Sequence, residues 1–153
     1  MTAKGGIPLI VRRVIAASPA RAFAAFAEAD RLSRWFVPTP DMKVEVLAFE
    51  FSPGGRLGLR YTMPDGRTPT VTGTFRRIET PLHVSFTWVW QPPDPLENVQ
   101  MDVAFDFVAH PDGTEVTVTH RGIPSDMACT IHEEGWTGTL RCLAAIIEEY
   151  VLL

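Results

Sequence analysis

SDMACTIHEEGWTGTLRCLAAIIEEYVLL, residues 125–153, is the stretch that decides the architecture. His132, Trp136, Leu140, Leu143, Ile147 and Tyr150 recur at the three-to-four-residue spacing that lays one stripe along an α-helix, while Arg141, Glu148 and Glu149 fall largely on the other side. So long a run reads as a single amphipathic helix, and its stripe has to be buried against another element. Gly135 and Gly138 interrupt the first half. Each costs about 1 kcal/mol relative to alanine in a helix interior, so another backbone or a ligand is expected to come close there.

The covering surface is found upstream, where apolar and polar residues alternate with a period of two. LHVSFTWVW (82–90) places Leu82, Val84, Phe86, Trp88 and Trp90 on one face and His83, Ser85 and Thr87 on the other. Residues 98–109 repeat the pattern with Val99, Met101, Val103, Phe105 and Phe107. Val116, Val118 and His120 share a face in 115–121, and Val71 and Phe75 do so in 70–78. Turn chemistry separates these strands: Ser52-Pro53-Gly54-Gly55, Pro64-Asp65-Gly66 and Pro111-Asp112-Gly113 read as hairpins. Three prolines within residues 91–95 make a loop on the rim of the sheet.

Before the sheet, residues 7–15 read as a strand. Ser18-Pro19 is an N-cap followed by the proline favoured at the first helical position. Ala22, Phe23, Phe26 and Ala27 continue a short helix, and a second helical piece over 30–36 carries Trp35 and Phe36 and ends before Pro38. The expected fold class is α+β: a curved antiparallel sheet of about six strands around a long C-terminal helix, with two short helices after the first strand, all within one domain spanning 1–153.

Composition narrows the function classes. Hydrophobic residues make up 46% of the 153, with 9 Phe and 4 Trp, ample material for a core. A net charge of -4 argues against nucleic acid, and the one basic pair, Arg76-Arg77, is expected to point to opposite faces of its strand. No stretch approaches a membrane span and none resembles a signal peptide, so the cytoplasm is the expected compartment. Cys129 and Cys142 stand thirteen helical positions apart, roughly 20 Å, and are expected to be free thiols.

The strand at 7–15, Ser18-Pro19 with Phe23 and Phe26, the 30–35 segment, Gly54-Gly55, and His132-Glu133-Glu134-Gly135-Trp136 followed by Leu140 and Leu143 form an ordered set. Over nearly the whole chain this set resembles the START-like or SRPBCC superfamily, in the branch related to the activator of the heat-shock-protein-90 ATPase. The resemblance implies a helix-grip (Bet v-like) fold that holds hydrophobic ligands such as lipids, sterols or polyketides between sheet and helix. Some members are enzymes, so function varies under the one fold.

Candidate chemistry centres on the inner face. Trp35, Phe36, Met63, Phe75, Phe86, Trp88, Trp90, Met101, Phe105, Phe107, His120, His132 and Trp136 are the expected lining, read here as a ligand pocket against the plainer alternative of a filled core. Trp35, Phe36 and the 91–95 loop could gate it, and the histidines or Arg60 could orient a polar end. His120 and His132 are the catalytic candidates, since imidazole titrates near neutrality; a structural role is the alternative. His132-Glu133-Glu134 suggests a zinc motif, but position 136 is Trp136 where a second histidine is needed, so no metal is expected. No cofactor is expected either. Asp102 and Asp106 share the face opposite Phe105 and Phe107, where solvent meets them.

Three functions follow. The leading one is non-enzymatic binding of a small hydrophobic or aromatic molecule. The others are an enzyme (cyclase, dehydratase or hydrolase) using the cavity histidines, and a chaperone-regulator-like module with a protein partner or a homodimer.

Overall fold

The computed structural model of the protein describes the backbone of residues 7–152 and the side chains of residues 7–147. Seven strands form one antiparallel sheet: β1 (Leu9–Ile15), β2 (Lys43–Phe49), β3 (Arg56–Thr62), β4 (Thr70–Glu79), β5 (His83–Trp90), β6 (Met101–His110) and β7 (Gly113–Arg121). Their spatial order is β1-β7-β6-β5-β4-β3-β2. Every neighbour except the β1–β7 pair is thus joined by a hairpin or a short loop, and the sheet curls into a half-barrel.

Three helices complete the described residues. Helix α1 (Pro19–Ala24) starts as expected, with Ser18 Oγ accepting from the Arg21 amide at 3.3 Å. Helix α2 (Ala29–Leu32) is only four residues long, and Trp35 and Phe36 follow it in turns rather than in a continuing helix. Helix α3 (Asp126–Leu152) runs 27 residues, about 40 Å at 1.5 Å per residue. Ser125 caps it, its hydroxyl accepting from the Ala128 amide at 3.1 Å. His132, Trp136, Leu140, Leu143 and Ile147 are all buried against the sheet, each apolar side chain contributing on the order of 1.5–3 kcal/mol. The side chains of Glu148, Glu149 and Tyr150 lie outside the described residues.

Alternation on the sheet is obeyed by Val84, Phe86 and Trp88, by Met101, Val103, Phe105 and Phe107, and by Val116, Val118 and His120, all facing inward and buried. Three readings are corrected. Leu82 is 55% exposed, because residues 79–82 form a turn closed by the Leu82 amide on Glu79 O and the strand begins one residue later. Val99 is half-buried but lies in the loop before β6. A register shift between Phe75 and Arg77 puts Arg76 and Arg77 on the same solvent face, where they bond Asp102 (3.1 Å) and Glu79 (2.8 Å). Both cysteines are free thiols. Among the described residues no helix is long and apolar enough to cross a membrane.

Candidate functional site

The space between sheet and α3 has two chemically different ends. Toward α1 and α2 the filling is phenylalanine. Phe26 lies 5.2–6.3 Å, centroid to centroid, from Trp35, Phe36, Phe51, Phe86 and Phe105, mostly in tilted or edge-to-face arrangements. Phe23 touches Phe107 at 5.3 Å, and Phe75 packs on Phe86 at 6.0 Å. Trp35 and Phe36 are each 1% exposed, and the Trp35 indole donates to Ala25 O at 2.9 Å. They are core residues, not the gate expected of them.

The other end is built by the first half of α3, the last turns of β5 and β7, and the start of β6. It holds indoles and imidazoles. Trp88 packs on Trp90 at 5.6 Å and on Trp136 at 5.3 Å; His120 and His132 meet at 4.7 Å. Met101, the cross-strand partner of Trp88, is fully buried beside them. Phe36 and Phe105, each 5.7 Å from Trp136, join the two ends. Of the expected lining, Met63 alone stands apart: it sits half-buried at the β3–β4 turn, where its amide donates to Arg67 O. Arg60 points outward onto Glu45 at 2.6 Å and orients nothing inside. Its neighbour Tyr61, which sequence reasoning missed, is the inward residue and lies 6.1 Å from Trp90. The alternation of Leu57, Leu59 and Tyr61 against Arg56 and Arg60 carries that signal.

Hydrogen bonding fixes where the protons are. An indole nitrogen only donates. Trp90 Nε1 donates to His132 Nε2 at 3.2 Å, so the His132 proton sits on Nδ1, which donates to Ala128 O at 2.8 Å one helical turn back. Trp136 Nε1 donates to His120 Nδ1 at 2.9 Å, so the His120 proton sits on Nε2. Burial, and next the neighbouring His132, drive the His120 pKa down to about 2; burial also lowers that of His132, against the opposing pull of Ala128 O and the Asp94 charge. Both rings are therefore neutral at pH 7, and neither offers a free lone pair. Two buried donors, His120 Nε2–H and Trp88 Nε1–H, find no acceptor among the described residues. Each such orphan costs about 1–3 kcal/mol.

Loop 91–99 roofs this end. It is tied at its base by the Asn98 amide on Trp90 O (3.0 Å) and the Gln91 amide on Thr70 O (2.9 Å). Within it, the Leu96 amide bonds Asp94 Oδ1 at 2.8 Å. On the outer face Asp106 pairs with His83 at 2.7 Å and Asp102 with Arg76, so the two carboxylates face solvent as expected. Two surface clefts of about 340 and 430 Å³ lie elsewhere, near Ile146, and of the expected lining only Trp35 borders either.

A half-barrel gripping a long helix, with a ring-lined interior, defines the class of helix-grip proteins. Residues 16–148 match the family described as Activator of Hsp90 ATPase homolog 1-like protein, and the chain belongs to that family. Among solved structures it is similar to the AHSA1 protein from Silicibacter pomeroyi, at 27% identity and a TM-score of 0.82 over 94% of this chain and 99% of that one. A protein from Chromobacterium violaceum (21%, TM-score 0.80, 92% and 96%) and the AHSA1-like protein from Aeromonas hydrophila (23%, 0.78, 96% of each) share the fold. Among curated proteins, none matches the sequence.

Proposed function

We propose that the chain is a cytoplasmic, non-enzymatic binding protein that takes a small hydrophobic or aromatic molecule between the sheet and α3. The fold commonly serves that purpose. The observation that carries the reading is the collection of Trp88, Trp90, Trp136 and Tyr61 at one end of the interior, under a proline-rich loop that bonds the body of the protein at its base. Flat, rigid rings bury area at little entropic loss, at about 25 cal/mol per Å² before association costs are subtracted. Because the rings already meet, admission requires Tyr61, Trp88, Trp90 and Trp136 to part.

The histidine geometry favours binding over turnover. A general base needs an available lone pair, and Trp90 and Trp136 occupy the two that these rings have. A second reading, an interaction module or homodimer, draws support from Met127 (75% exposed) and Ile131 (60%), one turn apart on the outside of α3. Light scattering at twice the chain mass, reverted by Ile131→Glu, would favour it.

The binding reading is tested by titrating N-phenyl-1-naphthylamine, a neutral apolar fluorophore, into the protein. Saturable one-to-one binding that Trp90→Ala weakens roughly tenfold, as loss of a ring contact should, supports the reading. A linear, unsaturable response refutes it.

A further inference from the structure

Resting on that binding reading, we propose that the occupant is a neutral molecule with a carbonyl-type oxygen, received by Trp88 Nε1–H, by His120 Nε2–H, or by both. The site's unmet demand has one sign. Among the described residues, both of its buried side-chain groups without a partner are donors. Both rings are nearly or fully out of solvent, Trp88 at 3% and His120 at 0% exposed, so bulk water does not satisfy them. They also belong to one place: both pack on Trp136, with centroids 5.3 and 6.0 Å away.

Trp90 and Ala128 O tie His132 shut, whereas a separate bond from Trp136 holds His120 ready. Trp136 fixes the His120 tautomer by occupying Nδ1, so Nε2 presents a proton whatever the ligand does. A ligand hydroxyl can accept from either group but adds a donor of its own to a site already over-supplied with them, which a carbonyl oxygen does not. A hydrocarbon would leave both orphans as they are. A carboxylate would enter beside Asp94, whose charge already reaches His132. A ketone, ester or amide oxygen supplies lone pairs without charge, and its apolar remainder suits the rings.

The test compares acetophenone, its hydrocarbon isostere cumene, and benzoate on the full chain. Acetophenone should bind and move the indole N–H of Trp88, the imidazole N–H of His120, or both, downfield in ¹⁵N–¹H spectra, whereas cumene should bind without moving either. Trp88→Phe should weaken acetophenone roughly fivefold or more, the change expected for one lost hydrogen bond, and cumene less than about twofold. Ketone and hydrocarbon both binding with the two N–H resonances unmoved would overturn the acceptor assignment and leave the binding reading standing. So would benzoate binding more tightly than acetophenone, or water cross-relaxation to both N–H groups persisting in the ketone complex. If neither neutral probe nor the naphthylamine binds, both readings fall together. The spectra use the native chain, so the assignment stays testable even if Trp88→Phe does not fold.

Discussion

His120 and His132 face each other across 4.7 Å, yet their protons sit on different nitrogens, one committed to the α3 backbone and one to nothing among the described residues. That asymmetry has a thermodynamic consequence. A free histidine takes up a proton below about 6.5, while His120 in the folded chain resists until about 2. Between those limits the unfolded state binds the extra proton, so stability is fully present above 6.5 and falls as pH drops through that value, by about 1.4 kcal/mol per unit. His132, shifted the same way, adds to the slope. Urea unfolding at pH 7.5 and 5.0 should show His120→Gln losing about 2 kcal/mol less than the native chain over this interval, since glutamine can accept from Trp136 without titrating. Equal slopes would mean that the imidazole is reached by water in the folded state.

At the level of elements, the two glycines of α3 separate what a sequence can and cannot convey. Both interrupt a helix at about 1 kcal/mol each, and both therefore suggest a close neighbour. Only Gly138 has one: a Cβ there would stand 1.9 Å from the carbonyl oxygen of Pro38, whereas at Gly135 nothing lies within 4 Å. Gly135→Ala should raise thermal stability by up to about 1 kcal/mol through helix propensity, and Gly138→Ala should lower it by about 1–3 kcal/mol despite the same propensity gain. Two variants that both raised the melting temperature would show that Pro38 yields easily. The partner of Gly138 is 100 positions away in the chain, so local pattern cannot reveal it. What local pattern does reveal is parity and period: the α3 stripe, the inward faces of β5, β6 and β7, and hence the placement of Trp88, Trp90, His120, His132 and Trp136 were all legible. It fails where the period is broken, as at the Phe75/Arg77 register shift, or where a turn displaces a strand end, as at Leu82. It also cannot assign a tautomer, which depends on distances such as the 2.9 Å between Trp136 and His120.

For the molecule as a whole, the interior is divided by labour. The phenylalanine end meets the usual demands of folding: its rings are close-packed, and the Trp35 indole among them is hydrogen-bonded. The indole–imidazole end keeps two orphaned donors and a roof secured at its base, features that lower stability and persist only where something else selects them. If that division is real, stability and binding should respond to different substitutions. Phe26→Leu removes ring contacts to five neighbours and should cost about 1–2 kcal/mol, seen as a lower melting temperature, with naphthylamine affinity within about twofold of native. Trp90→Phe keeps most of the apolar bulk at a half-buried rim position but frees His132 Nε2; it should shift the melting temperature little and weaken the naphthylamine roughly fivefold. Both are measured on the same samples, by thermal unfolding and by titration. Should Phe26→Leu weaken binding as much as Trp90→Phe does, the two ends would be one continuous core responding as a unit, and the indole–imidazole cluster would lose its claim to be a site apart from the packing that surrounds it.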